Sequence, residues 1–318
     1  MQRTLAPSRT SAIAPLPTPA PPARGVRPLN MLLVVAFAAA LVWSGAGTRF
    51  SLIAPFAPEN LKAVTRFVQG AFPPDLSPGF LLTALRLVVE TIQISIVGTV
   101  LAIGLAFPLS VLAMRRRGEE FSPRVAGRLG WTLRWAAYAA ARTVLNVLRA
   151  VPELVWALIF VVAVGLGPYA GVLALAAHST GILGKLYAEL CESVDARAIE
   201  AGRATGASEL AVLLLVRVPM ALPVLLSYTL FRWECNMRAA TVLGFVGAGG
   251  LGTQLVISMK LFQYGEVTTL ALVLLGLVML VDAVGQLLRT RLLEHAGDNA
   301  DNADGVMEEA SLCRPADG

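Results

Sequence analysis

Six basic residues lie in or beside long apolar segments of the chain: Arg86, Arg142, Arg149, Lys185, Arg232 and Arg238. A charge at the centre of a membrane-spanning helix costs about 2.5–3.5 kcal/mol on insertion scales, so such residues usually have a partner or face a polar cavity. The chemistry that they offer is the screening of an anionic solute. These cations are therefore the first candidates for a functional site.

Four of the six cations have an opposite charge four residues away, which places both partners on one helix face. The pairs are Arg86 with Glu90, Arg149 with Glu153, Lys185 with Glu189, and Arg238 with Glu234. Two interpretations stay open: the pairs hold helices in register, or some of them line a polar pathway. Asp282, in the last apolar segment, is expected to pair with Gln286 or to reach Arg289.

Arg232 differs from these cations because it has no acidic residue four positions away on either side. It lies one turn before Asn236 and within two turns of Arg238. One helix would therefore present two cations and an amide to an anionic solute. Together with Glu234, these residues form the candidate translocation pathway.

Residues for metal or nucleophilic chemistry are few and scattered. Cys191, Cys235 and Cys313 form no C-x-x-C pair, and His178 and His295 are far apart in sequence. No metal site, disulfide framework or cluster of nucleophile and base is indicated. We therefore expect neither an enzyme nor a bound metal.

Residues 247–252 match the letters of the dinucleotide-binding pattern G-x-G-x-x-G. That pattern needs a preceding strand and a following helix in a βαβ unit, whereas here it follows an apolar helix. The glycines instead predict tightly packed or non-helical backbone at the outer end of a span. Residues 181–186 lack the spacing and the Ser or Thr of a phosphate-binding loop, so no nucleotide site is predicted.

Composition defines the class of protein. Of the 318 residues 56% are hydrophobic and only 15% are charged, and the mean hydropathy is +0.68. Ordinary soluble domains have about 25% charged residues, so composition excludes that class. We predict an all-α polytopic membrane protein.

Six spans are predicted from the apolar segments. They comprise 31–48, 91–114, two spans of a hairpin within 142–189 with a short outer turn, a fifth at about 219–240 and a sixth at 267–288. Residues 49–79 are a periplasmic connection, 80–292 form the core, and 190–219 contain a cytoplasmic loop. The tails 1–30 and 293–318 are predicted to be disordered and cytoplasmic. The first span is expected to be a retained anchor rather than a cleaved signal peptide.

The distribution of Lys and Arg predicts the orientation, because these residues favour cytoplasmic loops. With the N-terminus inside, the outer segments hold only Arg49, Lys62, Arg66 and Lys260. Both termini are thus predicted to be cytoplasmic. The basic pI near 9.4 is explained without nucleic acid.

The cytoplasmic loop carries the most informative motif. Glu200, Ala201 and Gly202 are followed by Gly206 and by the segment V-R-V-P that ends at Pro219. This spacing resembles the EAA loop, E-A-A-x3-G-x9-I-x-L-P, of permease subunits of ABC importers. Gly202 departs from the motif, since the family has Ala there. A short amphipathic helix, a Gly turn and a second helix would form a knob that docks in a cleft of a soluble partner.

The resemblance extends over about residues 75–292. Residues 148–154, the hairpin around His178 and residues 232–244 look like the phosphonate-type permeases of this superfamily. The resemblance implies a homodimer in the inner membrane, a separate cytoplasmic ABC ATPase and a periplasmic solute-binding protein. It implies no cofactor in this chain, because the ATPase binds ATP and Mg.

The same resemblance implies roles for the motifs. The loop around Glu200 and Gly206 would couple ATP hydrolysis to transport, and Arg232 and Arg238 would suit the pathway of a phosphonate, phosphite or phosphate. The candidate outer gate comprises Gly244, Gly247, Gly249, Gly250 and Gly252.

Two alternatives remain at this stage. One is a permease for another small solute such as methionine, because such importers also have an EAA loop. The other is a self-contained secondary transporter, which would show inverted repeats and no partner-docking loop.

Overall fold

Proline begins five of the helices, because its fixed φ suits the first helical turn and its missing N–H would have no partner there. The computed structural model describes residues 28–48, 57–114 and 123–312, and these ranges contain no strand, which confirms the all-α prediction. The helices are α1 Pro28–Gly47, α2 Pro58–Ala71, α3 Pro78–Ala113, α4 Pro123–Ala150, α5 Glu153–Val164, α6 Pro168–Ser193, α7 Ala196–Ala204, α8 Glu209–Val212, α9 Val218–Leu243, α10 Gly250–Lys260 and α11 Tyr264–Leu312. A π-helical segment, Leu213–Arg217, joins α8 to α9, and a 3₁₀ turn, Gly244–Val246, follows α9.

Four helical stretches in the described part of the chain are long and apolar enough to cross a membrane: Asn30–Gly47, Pro78–Ala113, Glu209–Lys260 and Tyr264–Arg291. A bent pair, Gly130–Ala150 with Glu153–Val164, makes a fifth if it is one span. The chain divides into two units, residues 1–64, which include α1, and residues 65–318. The apolar side chains of α1 are exposed on all sides, as expected for a helix surrounded by lipid.

Helix α6 is the centre of the bundle, where it packs against α3, α4, α5 and α9. Its buried positions are mostly small residues, and a Cβ at Gly181 would lie 2.5 Å from the backbone nitrogen of Arg149. Small side chains allow such close contacts between membrane helices. Protein rather than lipid surrounds α6, which explains why a central helix carries so many polar groups.

The predicted hairpin within 142–189 has a broken first arm. Helix α4 ends at Ala150, and the chain bends by 93° before α5, which has only 12 residues. Pro152 lies at the bend, because proline cannot donate a backbone hydrogen bond and disfavours helix at the residue before it. We call residues 148–153 the elbow. The turn between α5 and α6 lies at Gly165 and Gly167, in agreement with the sequence.

Only one of the four predicted ion pairs along a helix is formed. The Lys185 ammonium lies 3.5 Å from the Glu189 carboxylate. The carboxylates of the other three pairs bind groups on other helices, as described below. The expected partner of Asp282 was also wrong, since its carboxylate lies 3.6 Å from the Arg238 guanidinium. For these residues, partners on other helices therefore take the place of the partners predicted on the same helix.

Two segments are more helical than the sequence indicated. The connection 49–79 contains the helix α2, which has Glu59 in its first turn, where an acidic side chain is favourable. The last helix continues past residue 292 to Leu312, because Ala, Glu, Met and Leu in this tail are good helix formers. Residues 1–27 and 313–318 of the predicted tails lie outside the described residues.

The contact between α9 and α11 is close at Gly285, and it generates a prediction. A Cβ at this position would overlap the carboxylate of Glu234, which is buried. Gly285→Ala should therefore lower the free energy of unfolding by about 1–3 kcal/mol, the usual cost of overpacking. The measurement is thermal unfolding of the purified protein in detergent.

Gly276→Ala is the matched control on the same helix, because a Cβ at Gly276 meets no atom within 4 Å. That variant should be unchanged or slightly more stable, since alanine favours helix. Equal melting temperatures for the two variants would contradict this account of the contact.

Candidate translocation and coupling sites

A series of hydrogen bonds joins α9, α6 and α3 in the middle of the bundle. Arg232 Nε donates to Ser179 Oγ at 3.0 Å, and Ser179 Oγ donates to Asn236 Oδ1 at 2.8 Å. Asn236 Nδ2 donates to Thr99 Oγ1 at 2.8 Å, and Thr99 Oγ1 donates to the Ser95 carbonyl at 2.7 Å. We call Arg232, Ser179, Asn236 and Thr99 the polar chain. Its last three members are buried, so each depends on the next for a partner.

Arg232 is the charged end of the polar chain. Its Nε is used by Ser179, whereas its two terminal nitrogens have no hydrogen-bond partner among the described residues. A guanidinium presents these donors in a planar fork that matches an oxyanion. The serine thus fixes the orientation of Arg232 and leaves its charged edge available.

The elbow lies against α6, and two further ionisable residues meet there: Glu153 of the elbow and His178 of α6. His178 Nδ1 is 2.9 Å from the Val151 carbonyl, and His178 Nε2 is 3.2 Å from Glu153 Oε2. Trp156 Nε1 donates to the Leu148 carbonyl at 3.1 Å, which holds the elbow from the other side. The sequence reasoning assigned no role to His178, and it paired Glu153 with Arg149. The available signal was Pro152, because a broken helix leaves carbonyls that need donors.

The remaining candidate pathway residues lie on another face of α9. The buried Glu234 carboxylate is 3.1 Å from Arg289 Nη2, and Arg238 pairs with Asp282. Both pairs join α9 to α11. The structure therefore divides the four predicted residues into Arg232 and Asn236 towards α6, and Glu234 and Arg238 towards α11.

The glycine-rich segment forms a tight turn between α9 and α10. Gly247 and Gly249 have φ of 85° and 86°, which side chains with a Cβ rarely adopt. Gly250 N donates to Glu90 Oε1 at 2.9 Å, and Leu251 N donates to Thr91 Oγ1 at 3.0 Å. Glu90 therefore caps the N-terminus of α10, where a carboxylate is favourable, instead of pairing along α3.

Two other glycines of this segment allow backbone to pack on backbone. A Cβ at Gly252 would overlap the Thr241 carbonyl, and one at Gly244 would lie 2.6 Å from Thr253 N. The Gly167 N–H donates to the Gly247 carbonyl at 2.9 Å and joins this turn to the start of α6. We call residues 244–252 the glycine turn. It is the tightly packed backbone that the sequence predicted.

The loop with the EAA-like motif is a short helix–turn–helix unit. The side chains of Asp195 and Ser208 cap α7 and α8. Gly206 has a φ of 80° at the turn between them. Arg203 Nε lies 2.7 Å from Glu209 Oε1, so an ion pair closes the turn.

The motif residues of this loop form its surface. Glu200, Ala201 and Pro219 are exposed. Gly202 faces inward, and a Cβ there would lie 3.1 Å from the Val216 side chain, which explains why glycine is suitable at this position. We call residues 195–219 the coupling loop.

Arg217 fixes the coupling loop to the bundle. Its side chain is buried, and Nη1 donates to the Cys191 carbonyl at 3.2 Å, near the end of α6. Its burial was not predictable from local sequence, because the partner lies 26 residues away on another helix.

Comparison with known proteins identifies the family. Residues 126–294 match the family described as binding-protein-dependent transport system inner membrane component. The phosphite transport system permease protein PtxC of Stutzerimonas stutzeri is 42% identical over 230 residues, 72% of this chain and 78% of that one. The phosphate-import permease protein PhnE of Mycolicibacterium smegmatis is 35% identical over 204 residues, 64% of this chain and 36% of that one.

Solved structures agree on the fold. The methionine ABC transporter MetNI, in an inward-facing conformation, matches 68% of this chain and 99% of its own with a TM-score of 0.56 and 23% identity. An amino acid ABC transporter matches 73% of this chain and 96% of its own with a TM-score of 0.51 and 16% identity.

The chain belongs to the family of inner membrane components of binding-protein-dependent transport systems. It is a non-catalytic permease subunit of an ABC importer, located in the inner membrane, and its partners are a separate ATPase and a solute-binding protein. This finding confirms the resemblance drawn from the coupling loop. It excludes the self-contained secondary transporter.

The glycine turn generates a prediction about packing. Gly252→Ala should lower the free energy of unfolding by about 1–3 kcal/mol, because the new Cβ meets the rigid Thr241 carbonyl rather than a flexible side chain. Gly104→Ala is the control, since a Cβ at Gly104 meets no atom within 4 Å. Both variants are compared by thermal unfolding in detergent. A Gly252→Ala variant as stable as the control would show that the turn is not tightly packed.

Proposed function

We propose that this permease carries a phosphorus oxyanion, either a phosphonate or its relatives phosphite and phosphate. The observation that supports the proposal most strongly is the 42% identity to a phosphite transport permease over 72% of the chain. The chemistry of the site agrees, because the free edge of Arg232 is suited to a tetrahedral oxyanion. A methionine importer is the alternative, but the similarity to the methionine transporter, at 23% identity, concerns the fold alone.

We propose six spans: α1, α3, α4 together with α5, α6, α9 and α11. The number of proposed spans exceeds the number of apolar helical stretches, because α6 is surrounded by protein and needs no apolar surface towards lipid. Its 26 residues correspond to about 39 Å at 1.5 Å per residue, which is enough to span the hydrocarbon layer. The bias of Lys and Arg towards one side supports cytoplasmic termini.

We further propose that two copies form the transporter, and that each coupling loop docks one ATPase. The exposed surface of Glu200 and Ala201 would enter a cleft of the ATPase. The Arg203–Glu209 ion pair keeps the loop rigid, and Arg217 connects it to α6. A rigid loop is needed here, because a flexible one would not transmit the closure of the ATPases.

Within the bundle, Arg232 and Asn236 are proposed to line the translocation pathway. Glu234 and Arg238 instead hold α11 against α9, since both have partners there. The glycine turn is proposed to act as the outer gate. Its hydrogen bonds to Glu90 and Thr91 join it to α3, and its hydrogen bond to Gly167 joins it to the start of α6. An opening gate would separate these helices from the turn.

The test of the proposed function is uptake of labelled 2-aminoethylphosphonate into vesicles that contain this permease, its ATPase and its binding protein. We expect uptake that requires ATP and all three components, and that phosphite or phosphate blocks by competition. Competition by methionine alone would refute the solute class and leave the importer mechanism in place.

The coupling loop generates a separate prediction. Glu200→Ala and Gly206→Leu should each reduce ATP-dependent uptake at least tenfold, while the protein stays in the membrane. Glu200 is exposed, so its loss removes a docking group rather than a core contact. Leucine at Gly206 is strained at a φ of 80°, at a cost of about 1–2 kcal/mol.

Two controls distinguish docking from general damage. Gly206→Asn should retain most of the uptake, because asparagine tolerates the left-handed conformation. Glu189→Ala removes an exposed carboxylate outside the loop and should also retain it. Undiminished ATPase binding and uptake in both test variants would contradict the coupling role.

A further inference from the structure

We propose that Arg232 and His178 form an oxyanion-binding site inside the permease, and that the Glu153 carboxylate occupies this site between transport events. The ligand class is a tetrahedral phosphorus oxyanion. The inference rests on the proposed function. It adds a solute site within the bundle and assigns roles to His178 and Glu153, which were not part of the predicted pathway.

The contacts of the His178 ring indicate that a proton lies between its Nε2 atom and the Glu153 carboxylate. Nδ1 lies 2.9 Å from the Val151 carbonyl, and a carbonyl only accepts, so Nδ1 carries a proton. Nε2 lies 3.2 Å from Glu153 Oε2. A carboxylate and an unprotonated ring nitrogen would both be acceptors, so a proton must lie between them. When that proton is on Nε2, His178 is a cationic donor that points at an oxyanion.

Arg232 contributes the positive charge of the site. It interacts electrostatically with both His178 and Glu153. Ser179, which holds Arg232 Nε, is the residue directly after His178 on α6. A guanidinium with two available nitrogens and an imidazole 3.2 Å from Glu153 thus act on one carboxylate, which is a suitable local composition for a site that binds an anion with more than one oxygen.

The side chains of His178 and Arg232 are fixed, and the Glu153 carboxylate is not. His178 is held by the Val151 carbonyl and Arg232 by Ser179. Glu153 is the last residue of the elbow and the first of α5, and its side chain is 37% exposed, compared with 10% for His178. Glu153 can therefore turn outward towards solvent, whereas His178 and Arg232 stay in place. This asymmetry is expected if an entering anion exchanges with the carboxylate.

The test measures binding of labelled phosphite to the purified complex of permease and ATPase, without the binding protein. Glu153→Gln removes the negative charge and keeps the size of the side chain. We expect this variant to bind phosphite at least tenfold more tightly than the wild type. Adding Arg232→Gln to it should remove the gain.

Glu189→Gln is the matched control, because it makes the same change at an exposed carboxylate that is paired with Lys185. It should bind phosphite as the wild type does. Phosphite affinity of Glu153→Gln equal to the wild-type value would overturn the proposal. An unchanged gain in the double variant would also overturn it, because Arg232 would then not be part of the site.

Uptake by the wild-type importer separates this proposal from the proposed function. If the wild type carries no phosphorus oxyanion, the solute class fails. If the wild type carries phosphite and Glu153→Gln shows no gain, only the internal site fails. Glu153→Ala carries the same expectation with a smaller side chain, so the test holds even if the glutamine variant does not accumulate.

Discussion

The structure depends on hydrogen bonds between buried polar side chains of α6 and its neighbouring helices. A polar group without a partner in an apolar interior costs several kcal/mol, and a membrane supplies no water to replace the partner. Ser179 is fully buried, and its hydroxyl takes part in two hydrogen bonds to α9. Asn236 in turn donates a hydrogen bond to Thr99 of α3. The positions of three helices are therefore coupled.

This coupling connects the two ends of the permease. Helix α6 runs from Gly167, which binds the glycine turn, to the region of Cys191, which binds Arg217 of the coupling loop. Helix α9 starts directly after Arg217 and ends at the glycine turn. Both helices carry members of the polar chain near their middle. Both helices therefore connect the coupling loop with the glycine turn and carry the polar chain between them.

The sequence predicted class, fold and coupling loop because each is encoded locally, in composition, apolar runs and motif spacing. It predicted a tight glycine turn for the same reason. Its predicted partners for Glu153 and Asp282 were wrong, because these residues bind groups that only the folded chain brings near. It also divided the hairpin into two straight spans, since the 93° bend at Pro152 is a tertiary arrangement. His178 was assigned no role, because a single histidine in an apolar segment belongs to no sequence motif.

The central claim is that Arg232, and not the neighbouring Arg238, meets the solute. ATP-dependent uptake of phosphite by Arg232→Lys and Arg238→Lys importers tests it most directly. Lysine keeps the charge at both positions. At position 232 it lacks the planar fork that binds Ser179 through one nitrogen and presents two others to an oxyanion, whereas at position 238 it can still pair with Asp282. The account predicts at least a tenfold loss for Arg232→Lys and less than a twofold change for Arg238→Lys. Equal losses, or the reverse order, would contradict it.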